Sequence, residues 1–71
     1  MNRISVVSSM IHSIGYEVET STLEIEFVSD SSVYQYYNFP EYLYNDFMSS
    51  DSKGKYFHAN IKGKYNDTKV G

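Results

Sequence analysis

Apolar and polar residues alternate along the first half of the chain and then change period. Ile14, Tyr16 and Val18 fall on one side of an extended segment, with Gly15, Glu17 and Glu19 on the other. After a polar turn at 20–22, Leu23, Ile25 and Phe27 repeat the pattern against Glu24 and Glu26. A period of two predicts half-buried antiparallel strands, so these segments read as a hairpin. The short β-branched run at 4–8 predicts an edge strand before it. Ser29, Asp30 and Ser31 predict the next turn, because their short side chains hydrogen-bond nearby backbone. A third long strand follows over 33–39. Its two sides are both bulky: Val33, Gln35 and Tyr37 on one, Tyr34, Tyr36 and Asn38 on the other. Two tyrosines on one side require either cover from helices or a role as a contact surface.

Pro40 changes the period, since its fixed φ and missing N–H suit a helix start. Leu43 and Phe47 are four apart, as are Tyr44 and Met48, which predicts a helix over 41–49. Ser49 to Ser52 interrupt it and offer Asp51 or Ser52 as the next N-cap. A second helix is predicted over 53–62, with Phe57 and Ile61 facing inward, Tyr56 beside them and Gly54 weakening the first turn. Lys62, Gly63 and Lys64 end it, and 66–71 reads as a frayed tail. The fold expected is α+β: a single domain over 1–71 with a small antiparallel meander of three to four strands packed against two C-terminal helices.

Length and composition narrow the chemistry. With 71 residues, the chain buries roughly 60% of the surface its unfolded form exposes. Cysteine is absent and there are two histidines, His12 and His58. That inventory excludes disulfides, thiol catalysis, cysteine-bound metals and a histidine-rich metal site; no metal and no cofactor is expected. Eight tyrosines against four phenylalanines place amphipathic rings at the rim of the core or at an interface. The net charge of −3 is unevenly distributed. Residues 1–51 carry Arg3 as their one basic side chain against eight acidic ones, a balance of −7. Residues 52–71 carry five lysines against Asp67, a balance of +4. The overall sign disfavours general nucleic-acid affinity but leaves a local basic patch open. The same division would let copies complement each other head to tail. No signal-peptide core and no stretch of about 20 apolar residues is present, so the expectation is a cytoplasmic protein with no membrane partner.

Several residues are candidates for binding. Tyr34, Tyr36 and Tyr37 can stack on bases or fill a core. Ser52-Lys53-Gly54-Lys55-Tyr56 opens a helix, where unpaired N–H groups and two lysines suit an anion; the plainer reading is a capped, solvated helix start. It lacks the P-loop spacing. His58 and Lys62 lie farther along the same segment and can approach phosphate. Ser8, Ser9 and Ser13 lie near Gly15 and Tyr16, but a serine nucleophile needs a base held beside it. Backbone bonding at the entry to the hairpin explains them better. Gly15 either relieves crowding from an opposing ring or marks a bulge. Glu24 and Glu26, with Glu17 and Glu19 nearby, read as a solvated acidic face, or as a metal or protein contact.

Those segments together resemble the KTSC family, a small domain found at the C-terminus of some bacterial lysyl-tRNA synthetases and as stand-alone proteins. Its Tyr-x-Tyr motif matches Tyr34-Gln35-Tyr36 after Val33, and its N-terminal stretch matches Ser8, Ser9, Ile11, Ile14, Gly15 and Tyr16. The strand after that matches Leu23, Glu24 and Phe27, and the proline before a tyrosine-bearing helix matches Pro40 and Tyr44. Ser52, Gly54, Tyr56, Phe57 and Ile61 match the last block, so the resemblance spans about 6–65. Asp30-Ser31-Ser32 stands where the family often has a glycine, which changes only the turn type. The resemblance implies no settled activity; the synthetase association suggests RNA. The resulting expectation is a non-catalytic domain binding RNA or a nucleotide phosphate. Its ligand residues would be Tyr34, Tyr36, Lys53, Gly54, Lys55, Tyr56, His58 and Lys62, supported by Ser8, Ser9, Gly15 and Tyr16. The alternative is a protein-interaction module, or a phage-type accessory or inhibitor protein, engaging a host protein through its acidic, tyrosine-rich sheet; the chain's source, bacterial or phage, is open. Self-association is expected in either case, because a small core gains by burying aromatics across a two-fold axis.

Overall fold

The alternating segments pair as antiparallel strands in a computed structural model that describes residues 1–71. The elements are β1 (Arg3–Ser5), β2 (Ile11–Glu17), β3 (Thr22–Phe27), β4 (Val33–Tyr36), α1 (Glu41–Ser49), α2 (Lys53–Asn60) and β5 (Asp67–Lys69). The five strands form one sheet in the order β1-β2-β3-β4-β5. The fold is α+β, with one strand more than the pattern predicted.

Register determines which face is which. Ile4, Ile14, Ile25 and Tyr34 align across β1 to β4, and Tyr16, Leu23 and Tyr36 form the next row. Both rows lie on the face that receives the helices. Phe47 of α1, Phe57 of α2 and Ile61 just beyond it complete the core with Ile11, Ile14, Leu23, Ile25, Tyr36 and Phe39. Ile11 and Ile14 are three residues apart, a spacing that plain alternation would send to opposite faces. The register shift between Ile11 and Ser13 puts one extra residue, His12, into β2, so both isoleucines reach the core while His12 stays exposed.

The structure corrects five sequence-based boundaries. The first strand is β1, ending at Ser5 rather than residue 8. The hairpin turn occupies 18–21, so Val18 leaves the apolar row and is 57% exposed. Ser21 takes the left-handed φ of 53° that closes this turn. β4 ends at Tyr36 because Asn38 turns the chain with φ 56°, which sends Phe39 into the core. α2 ends at Asn60, two residues early, and Ile61 caps it with a bond from its N–H to the Phe57 carbonyl.

The fifth correction is the tail. Residues 67–69 pair with β4, aligning Lys69, Thr68 and Asp67 with Tyr34, Gln35 and Tyr36. The Val33 N–H donates to the Gly71 carbonyl at 2.9 Å, and the Tyr37 N–H to the Asn66 carbonyl at 3.0 Å. β4 would otherwise present a row of unpaired backbone groups, and the chain returning from α2 satisfies them.

Candidate functional site

The start of α2 forms as a capped helix end. Ser52 is the N-cap, its Oγ accepting from the Lys55 N–H at 3.3 Å. The Lys53 ammonium donates to the Ser50 carbonyl at 2.6 Å, so its charge serves the C-terminal end of α1. The open side of Gly54 faces Met10, whose Sδ would lie 3.4 Å from an added Cβ. The space a side chain would take at Gly54 is filled by Met10 rather than left open to a ligand. Tyr56 stacks on Phe47 with centroids 5.1 Å apart and donates its hydroxyl to the Leu43 carbonyl at 3.3 Å. Burial pushes its pKa up from the ordinary tyrosine value. Lys53 and Tyr56 therefore join α2 to α1, and Gly54 packs α2 against the segment that enters β2.

The expected stacking tyrosines also serve the fold. Tyr36 is 4% exposed, with its ring edge-on to Phe57 at 5.9 Å, which removes it as a stacking platform. Burial raises its pKa well beyond the usual range. Tyr34 is half-buried against Phe27 and Tyr36. The helices thus cover the side of β4 that carries both rings. Tyr16 stacks on Tyr44 at 4.9 Å and donates to the Phe39 carbonyl at 2.5 Å. Ser8 Oγ accepts from the Met10 and Ile11 N–H groups, closing the entry to β2, while Ser9 is exposed. Gly15 faces neither a ring nor the bulge. A Cβ there would lie 2.7 Å from the Asn2 carbonyl oxygen, so the glycine lets the backbone beside β1 approach closely.

Of the eight expected ligand residues, Lys55, His58 and Lys62 remain exposed, with Lys64 just beyond. Lys55 and His58 are one turn apart on α2. None of the five lysines is in an ion pair: the only pairs join Arg3 to Glu24 and Glu26. No three His, Asp or Glu side chains converge to hold a metal.

Two constellations were missed in the sequence. The first lies on the sheet face away from the helices. Arg3 bonds Glu24 and Ser13, Ser13 donates to Glu26 at 2.8 Å, Gln35 donates to Glu24 at 2.9 Å, and Tyr37 donates to Gln35 at 3.2 Å. Glu24 is only 7% exposed, which overturns the expectation that it sits on a solvated acidic face. Burial pushes its carboxyl pKa up, but the bonds from Gln35 and Arg3 outweigh that and hold it below the usual glutamate value. The one arginine within an acidic stretch was the available signal. The second is a shallow pocket of about 320 Å³ lined by Tyr37, Asn38, Gly63, Lys64, Tyr65 and Asn66. Its signals were Asn38 and Gly63, residue types that tolerate positive φ and adopt it here.

The KTSC domain family model matches residues 7–65. The lysine–tRNA ligases of Nostoc punctiforme and Trichormus variabilis are each 44% identical over 57 residues, covering 80% of this chain. The chain spans about a tenth of the length of these curated relatives, since the match covers 10% of each ligase. An uncharacterised protein of Stutzerimonas stutzeri is 32% identical over 65 residues, covering 92% of this chain and 90% of its own length. The crystal structure of a KTSC domain protein from Yersinia pestis superposes with a TM-score of 0.95 at 44% identity, covering 99% of this chain and 97% of that one.

Proposed function

Starting from the fact that this chain belongs to the KTSC domain family, we propose that it is a non-catalytic module that binds RNA or a nucleotide phosphate through Lys55, His58, Lys62 and Lys64. The observation that carries this reading is the state of the cations. Arg3 is engaged by two glutamates, whereas the lysines of the C-terminal third have no carboxylate partner in a chain of net charge −3. Unpaired cations on one exposed stretch are what a phosphate backbone needs. The ligases that share this segment act on tRNA by name, which supports RNA as the partner. The same unit makes up nearly the whole of two other proteins, which supports binding as a property of the module itself.

The alternative, a protein partner, has the helix-free sheet face in its favour. There the Arg3–Glu24–Gln35 network and Tyr37 present a polar surface. This differs from the acidic, tyrosine-rich surface first expected, because Tyr34 and Tyr36 lie on the opposite, covered face. Burying aromatics between copies also loses weight, since Tyr42 is the only aromatic among the strongly exposed large apolar residues.

Fluorescence anisotropy with tRNA and with a short single-stranded RNA tests the proposal. Three to four contacts predict a slope of about −2 to −3 in log K against log salt, a roughly 15- to 60-fold loss between about 50 and 200 mM. Lys55→Glu with Lys62→Glu should abolish most of the binding. Failure to bind at the lower salt, or binding indifferent to these substitutions, would sink the reading and leave the sheet face as the surface to pursue.

A further inference from the structure

The pocket of about 320 Å³ lies where two linkers meet, one leaving β4 and one running from α2 to β5. The Tyr37 N–H bond to the Asn66 carbonyl ties the linkers together. Asn38 and Gly63, one from each linker, both adopt left-handed backbone, with φ 56° and 74°. An asparagine held there carries a local cost that the surrounding structure must offset, a condition common at ligand clamps. The volume is at the small end of ligand sites and suits a single ring system with its substituents.

The lining chemistry is selective. Tyr37 and Tyr65 are the aromatic members of a mostly polar lining, and the Tyr65 ring is fixed edge-on to Phe39 at 4.8 Å. Asn38 and Asn66 are also lining residues, and an asparagine amide offers both donors and an acceptor, the combination that reads a base edge. Lys64 is the one charged group, and no carboxylate lines the space. Inorganic phosphate would leave the rings and amide acceptors unused. A neutral sugar would leave Lys64 unused. A nucleotide uses all three.

We propose that this pocket is a subsite for one unpaired nucleotide, with the base against Tyr37 and Tyr65, its edge bonded by Asn38 and Asn66, and its phosphate on Lys64. It rests on the RNA reading above and extends it, since Lys62 and Lys64 flank Gly63 and connect the α2 cations to the pocket. The test is an amide NMR titration of the full chain with uridine 5′-monophosphate and with a short single-stranded RNA. Expected are shifts at residues 37–38 and 63–66, and affinity lowered roughly three- to tenfold by either Asn38→Gly or Asn66→Ala. Asn38→Gly keeps the left-handed backbone, and Asn66 is exposed and uses only its carbonyl in the fold, so both variants should retain the parent spectrum elsewhere. RNA binding that needs Lys55 and Lys62 but leaves these amides unmoved, with both variants at parent affinity, overturns the pocket and spares the RNA reading. Absence of any salt-dependent RNA binding overturns both. Equal shifts and affinity with inorganic phosphate would reduce the site to a simple anion site and overturn the nucleotide assignment.

Discussion

Substituting Gly15 by alanine tests how β1 is held. The new Cβ would lie 2.7 Å from the Asn2 carbonyl oxygen and 3.1 Å from Arg3 Cγ. Ordinary contact begins near 3.4 Å, so the backbone beside β1 must move by more than half an ångström. β1 is a three-residue exposed edge strand and gives way more easily than β2, which is paired on both sides. Lifting it strains the pairing of Arg3 with Gly15 and loosens the Arg3 bonds to Ser13 and Glu24. Overpacking costs about 1–3 kcal/mol, and a buried acceptor losing its donor costs a similar amount. We expect about 2 kcal/mol, which urea denaturation resolves, with a fall in Tm of about 8–16 °C for a domain of this size. The control is the same substitution in a chain lacking residues 2–5. With the clash removed, alanine should be neutral or better than glycine in a strand by about 0.5–1 kcal/mol, so the effect changes sign. An equal cost in both backgrounds, or none in the full chain, would refute the reasoning.

Two further outcomes follow from burial. Tyr36→Ala empties a ring site in the core at a cost of about 3–5 kcal/mol, against about 4–10 kcal/mol expected for the whole domain. Urea denaturation should therefore find the variant stripped of a large share of its stability; a variant of parent stability defective only in ligand binding would place the ring at the surface after all. Because the folded-state pKa of Glu24 is depressed below 4.5, its contribution to stability is complete above that value and is lost as pH falls through the folded pKa. Urea midpoints between about pH 3 and 7 should drop on the acid side in the parent, and less steeply in Glu24→Gln.

Legibility in the sequence followed the physics of each segment. The hairpin and both helices were readable because burial on one side imposes a period, as in Leu23-Glu24-Ile25 and in Leu43 with Phe47. A cap at Asp51 or Ser52 was readable because a capping side chain acts on the backbone two or three residues away, and Ser52 is the one used. β5 was not readable, because Asp67, Thr68 and Lys69 are all exposed and carry no apolar alternation. It exists through backbone pairing with β4, which depends on where the helices return the chain. The candidate site was legible by composition only. The sequence placed lysines in the last third, but Tyr56 bonding Leu43 and Gly54 meeting Met10 depend on neighbours that packing supplies.

By itself, then, the sequence determined the class of fold, the order of its main elements, the absence of thiol chemistry and the acidic and basic division of the chain. These are local or additive properties, set by periodicity, capping and charge count. Only the tertiary structure decided that Tyr34 and Tyr36 face the helices, that Glu24 is buried beneath Arg3, and that Asn38 and Asn66 share a pocket. Those outcomes depend on strand register and on which side of the sheet receives the helices. A bulge of one residue at His12, or the loss of alternation after Tyr36, changes them without leaving a periodic trace in the chain.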